Sequence, residues 1–148
     1  MAGKLLQVQH VQAAQSSTTA VIPADDTIPQ NTEGLEIMSI AFTPLSATSK
    51  LDIEIGSGSF GSGNLIATLA LFVDSTVDAI ASHSWNEFST IYIGRGEFRA
   101  EIDSTNTTTR TYKVRLGTST GTLSNYRSTT TLGGMYVPSW MKISEVEV

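Results

Sequence analysis

The chain has 148 residues and a formal net charge of -5, and its nine basic residues are scattered, which excludes the concentrated cationic stripe that binding to a phosphate backbone requires. With no cysteine it has neither a disulfide framework nor a thiolate metal site. About a quarter of it is Ser plus Thr and only 16% is charged, a composition that favours strands and turns over helix bundles, in one domain large enough to bury a core.

Taken in order, Lys4 to Ala14 alternates loosely, Leu6 and Val8 in one phase and Leu5 and Val11 in the other, which reads as an edge strand or a docking arm. Gln7, Gln9, His10 and Gln12 interrupt any continuous apolar stretch, so no secretory signal is expected there. Pro23 and Pro29 make Pro23 to Gly34 an ordered loop or a partner-contacting segment, and within it Asp25 and Asp26 read as a cation site or a solvated turn. Leu35 to Gly56 carries the strongest pattern. Leu35, Ile37 and then Ile40 and Phe42 are apolar with Glu36, Ser39 and Thr43 among them and a phase slip or bulge at Met38, and Leu51, Ile53 and Ile55 alternate strictly with Lys50, Asp52, Glu54 and Gly56. Both runs are strands with one wet and one buried face, and Pro44, which has no N–H to donate, ends the first.

Gly56 to Gly63 reads as a flexible loop. It has no Lys followed by Ser or Thr and so no phosphate cradle, and its Phe60 either folds back or meets a partner. Asn64 to Val73 is apolar in both phases, a strand covered on both sides, by a second sheet and loops or by a neighbouring subunit; a short buried helix is the competing reading. The run is too short to insert in a membrane, and a soluble protein is expected. Asp74, Ser75 and Thr76 turn the chain, and His83 to Glu87 reads as a polar, aromatic loop. A strand through Ile91, Tyr92 and Ile93, a tight turn at Gly94 to Glu97, and alternating Phe98, Ala100 and Ile102 follow. Tyr112, Val114 and Leu116 mark another half-buried strand, and Thr129 to Tyr136 a Thr-rich one. In the last strand Trp140 and Lys142 share one face and Met141 and Ile143 the other. Roughly nine to eleven short strands with regularly spaced turns predict an all-β antiparallel sandwich or jelly roll. It is a single domain, with 1–34 as N-terminal strand and loop and 35–148 as sandwich body.

Enzymatic machinery is hard to assemble from these residues. A nucleophile and base would have to use His10 or His83, and no G-x-S-x-G elbow accompanies either. Asp52 and Glu54 share a strand face as a glycosidase pair could, yet their alternation with Leu51, Ile53 and Ile55 reads as a wet face. Two distant histidines make no metal site. No catalytic residue, metal or cofactor is expected.

The segment Ile40, Thr43, Pro44, Ser46, Thr48, Ser49, Lys50, Leu51, Ile53 has the form I-x-x-T-P-x-S-x-T-S-K-[IL]-x-I and resembles a family of small bacteriophage virion proteins of head-decoration or tail-fibre-tip type. The opening Gly3-Lys4-Leu5-Leu6-Gln7-Val8 is similar to that family's G-K-[VI]-L-Q-V start, and Leu71 to Thr76 to its L-x-x-D-G-T turn, with Ser75 in place of Gly. Thr111 to Val114 and Ile143 to Val148 also fit. The resemblance implies a jelly-roll sandwich, usually a homotrimer, displayed on a phage particle assembled in the host cytoplasm, and it brings no catalytic residues. One globular unit favours a capsid-decoration (cement) protein on the virion surface, touching itself and the major capsid protein or other virion proteins. Its expected contacts are Lys4, Leu5, Leu6, Val8, Val11, Pro23 and Pro29. The alternative is a receptor-binding tip that meets a host glycan or protein through Phe60, Trp85, Tyr92 and Tyr126. Neither nucleic acid nor membrane is an expected partner.

Overall fold

The computed structural model describes residues 3–87, 94–125 and 138–148, with the backbone alone of Phe60. Among the described residues ten strands run β1 (Lys4–Gln12), β2 (Ser17–Thr18), β3 (Leu35–Phe42), β4 (Lys50–Gly61), β5 (Leu65–Val73), β6 (Ala81–Glu87), β7 (Gly94–Asp103), β8 (Arg110–Thr118), β9 (Leu123–Ser124) and β10 (Trp140–Glu147). They form two antiparallel sheets. In one the order is β1-β10-β4-β7, with β9 and β2 extending the far end of β4; in the other it is β3-β8-β5-β6. The chain passes back and forth between the sheets so that each holds strands distant in sequence, the antiparallel jelly-roll sandwich that the spacing of strands and turns predicts.

The alternation in the sequence becomes the core. Leu51, Ile53 and Ile55 of β4 and Met141 and Ile143 of β10 face Met38, Ile40 and Phe42 of β3 and Tyr112, Val114 and Leu116 of β8, all buried in one cluster. The register between β3 and β8 shifts at Glu36 to Met38, the bulge expected beside Met38, and it turns Met38, Ile40 and Phe42 inward together.

Three segments differ from expectation. Gly56 to Gly61 is not a flexible loop: β4 continues through it, pairing Gly56 to Ser59 with Glu97 to Gly94 and Phe60 and Gly61 with Ser124 and Leu123. Glycine serves close approach here. A Cβ at Gly56 would lie 2.7 Å from the Trp140 indole nitrogen, so Trp140 rests flat on the strand. Gly94 to Glu97 likewise belongs to β7 rather than to a turn, since it pairs with Gly56 to Ser59, and its Gly96 leaves room for the Trp85 ring, which a Cβ there would overlap. His83 to Glu87 is strand β6, with Ala81, His83, Trp85 and Glu87 on the more buried face and Ser82, Ser84 and Asn86 exposed. The period of two is present, but His, Trp and Glu stand where aliphatic residues would announce it.

β5 is covered on both faces, and within the chain itself. Ile22, from the segment before Pro23, packs on Ala70 and Phe72 with Ala79 beside them, which removes the need for a neighbouring subunit. Gly34, at φ +64 and with Ile22 Cδ1 2.9 Å from where a Cβ would sit, turns the chain from this plug into β3. Arg115 then holds the turn, its guanidinium donating to the carbonyls of Glu33 (2.5 Å) and Gly34 (2.8 Å).

Candidate functional site

The residues expected to touch partners divide between two surfaces. β1 lies at the margin of its sheet, antiparallel to β10 from Lys4 to Gln12. Leu5 is 57% and Val8 47% exposed, while Leu6 is half-buried and Val11 packs against the core cluster. A register shift between Leu5 and Gln7 sets these two phases. The other surface is the segment around Pro23 and Pro29, folded onto the outer face of β3-β8-β5-β6. Pro23 is exposed; Pro29 is half-buried and accepts from the Ala79 N–H at 2.9 Å. Asp25 and Asp26 stand in solvent, and Asp25 accepts from the Thr27 N–H (2.9 Å) and hydroxyl (2.6 Å), a closed turn. Those bonds hold its carboxyl below the ordinary range.

The aromatic residues do not gather. Trp85 is half-buried over Gly96, donates its indole N–H to Glu87 at 2.7 Å and stacks with His83 at 6.1 Å. Tyr92 and Tyr126 lie outside the described residues, as do the strand through Ile91 to Ile93 and the one at Thr129 to Tyr136; Phe60 lies within β4.

The outer face of β1-β10-β4-β7 is a ladder of ion pairs. Asp52 pairs with Arg99, Glu54 with Lys142, and Lys50 with Asp103 at 2.6 Å. Asp52 and Glu54 thus each have a cation partner on an open face. His10 and His83 stand on edge strands of different sheets. Among the described residues no group of three His, Asp or Glu side chains could hold a metal ion.

The residue that sequence reasoning missed is Glu145. It is fully buried, and its carboxylate accepts from the N–H groups of Leu45 and Ser46 (both 2.9 Å), the Ser49 hydroxyl (2.6 Å) and the Gln7 amide (2.7 Å). Burial pushes its pKa up, but the bonds from Ser49, Leu45, Gln7 and Ser46 outweigh that and hold it below the ordinary value. The segment Thr43 to Ser49 is therefore wrapped around an anion, and β1 is fastened to the same anion through Gln7. A signal existed: Glu145 lies in the phase of Met141 and Ile143, the buried face of β10.

No family model matches the chain, and no curated protein matches it. Among solved structures it is similar to infectious bursal disease virus Gt strain, with a TM-score of 0.50 and 15% identity over 96% of this chain and 38% of that one. The VP2 subviral particle of infectious bursal disease virus gives a TM-score of 0.47 and 14% identity over 95% of this chain and 32% of that one. The chain spans less than two fifths of the length of either. At such identity the likeness is one of fold: this chain folds as an antiparallel jelly-roll sandwich.

Proposed function

We propose that this chain is a non-enzymatic virion structural protein of a bacteriophage, a homotrimeric decoration or cement protein bound to the outer surface of the head. The observation that carries the reading is the jelly-roll topology, which over 96% of the chain follows a chain from a virus particle. Jelly rolls also serve lectins and cupins, so fold alone does not assign the role. The Thr43 to Lys50 motif resembles phage virion proteins and adds support. So does the chemistry of the surface, where Asp52 and Glu54 are both ion-paired. In a cement role each trimer binds through several contacts at once, so modest individual interfaces suffice.

The test is quantitative mass spectrometry of purified particles, with heads and tails separated. The reading expects a fixed copy number on heads in multiples of three. Recovery with tails alone moves the chain to a receptor-binding tip, and absence from particles refutes both.

A further inference from the structure

The Ile22 plug covers only part of the outer face of β5. It seats on Ala70 and Phe72, and farther along the strand Ile66 and Thr68 line an open groove of about 310 Å³ between the Pro23 to Pro29 loop and Ser82 and Ser84 of β6. That volume is at the lower end for a ligand site. The lining is rich in hydroxyls. Thr68 is 3% exposed, and its hydroxyl and that of Ser84 bond to one another at 2.7 Å. One proton serves that bond, so the pair has a second O–H and further lone pairs to offer. Thr27 and Asp25 face the same groove from the loop, and both bonds from Thr27 fall on Oδ1 of Asp25. They fix the carboxylate and leave its Oδ2 without a partner among the described residues. Pro23, Pro29 and Ile66 supply apolar walls, and no Lys, Arg or His lines the groove.

This lining is selective. An anion would meet the ionised Asp25 with no cation to offset it. A wholly apolar occupant would strip water from the hydroxyls and the carboxylate and give them no bond in return. A metal ion would find one carboxylate, and among the described residues no group of three His, Asp or Glu side chains could hold it. A sugar ring suits both halves of the lining, since its hydroxyls can donate to Asp25 and exchange bonds with Thr68, Ser82 and Ser84 while its C–H face lies on proline. We infer that this groove is a saccharide-binding site that takes one uncharged hexose unit of a glycan, with Oδ2 of Asp25 accepting from the sugar hydroxyls. The inference goes beyond the cement reading. It assigns Pro23 and Pro29 to a sugar rather than to the shell and leaves the β1 margin of the other sheet for attachment.

The test is titration of the purified, isotope-labelled full chain, followed by backbone amide NMR shifts, with methyl glycosides of glucose, galactose and mannose, the uronic acid of each, and choline. Three variants are compared, their thermal stability measured in parallel. Asp25→Asn removes the charge of the acceptor, Ser82→Ile fills the groove from an exposed strand position, and Asp26→Asn makes the same charge change outside the groove. At least one neutral glycoside is expected to give saturable shifts confined to residues 23–29, 66–68 and 82–84. Binding is expected to weaken about tenfold or more in Asp25→Asn and Ser82→Ile and to stay within about twofold of the parent in Asp26→Asn, with the matching uronic acid about tenfold weaker than the neutral sugar. No saturable shift with any neutral glycoside, or shifts confined to another surface, overturns the site. So does binding that Asp25→Asn and Ser82→Ile leave unchanged, or that Asp26→Asn weakens as much as Asp25→Asn. A uronic acid bound as tightly as its neutral sugar overturns the selection against anions, and choline bound in preference to every sugar assigns the groove to organic cations instead. The experiment uses no particles, so failure of the cement reading leaves its result standing.

Discussion

Replacing Glu145 by Gln tests whether the buried carboxylate organises the segment that carries the phage-like motif. The carboxylate can only accept, and what faces it donates: two main-chain N–H groups and an amide NH₂ that can do nothing else, and the Ser49 hydroxyl, which gives it its proton. A Gln side chain keeps the shape but turns one oxygen into a donor aimed at donors. The bonds that remain lose their charge assistance, and the Gln7 amide N–H, bonded to the other oxygen, faces an NH₂ group instead of an acceptor. Together these cost about 3 kcal/mol. For a chain of this size that corresponds to a Tm lower by about 6–12 °C.

The pH dependence has a fixed sign. A carboxylate whose pKa is lower in the folded than in the unfolded chain contributes stability in full above its ordinary value of about 4.5, and that contribution is lost as pH falls through the folded value. Denaturant unfolding of the parent and of Glu145→Gln, followed from pH 7 down to pH 3, is therefore expected to show a gap of about 3 kcal/mol that narrows below pH 4.5. A variant within about 0.5 kcal/mol of the parent at pH 7 would refute the clamp, as would a gap that widens in acid.

Other substitutions probe the rest of the account. Ile22→Ala empties the plug over Ala70 and Phe72 and is expected to cost about 2–4 kcal/mol in denaturant unfolding. Gly96→Ala pushes the Trp85 ring off β7, costing about 1–3 kcal/mol and changing the tryptophan emission. Asp52→Asn breaks a pair whose arginine is 63% exposed, so a change below about 1 kcal/mol, diminishing in high salt, is expected by the same unfolding assay.

How much was legible followed from which residues face inward. Where aliphatic residues fill the buried phase, as in Leu51, Ile53 and Ile55, the strand and its face could be read directly, and even the slip beside Met38 showed as two apolar residues out of step. Where the inward residues are His83, Trp85 and Glu87, the same period passed for a loop, since those side chains are buried by stacking and hydrogen bonds. The glycines of β4 and β7 misled for another reason. Glycine marks flexibility when nothing approaches it, but here Trp140 and Trp85 lie on the bare backbone, a pairing between residues distant in sequence that no local pattern shows. The covering of β5 by Ile22 was hidden likewise. A strand apolar on both faces says that something lies on it, not which segment does. Of the candidate contacts, the structure brings Lys4, Leu5 and Val8 to one open margin and turns Val11 toward the core, a distinction the loose alternation of β1 left open.

The central claim is that this chain stabilises a virion head from outside. Its most direct test is binding of the purified protein, in parallel, to empty heads that lack it and to host cells. The account predicts saturable binding to heads at a fixed number of trimers per shell, with heads that withstand higher temperature once saturated. Binding to cells with none to heads would contradict it and place the chain at the tip of a tail fibre.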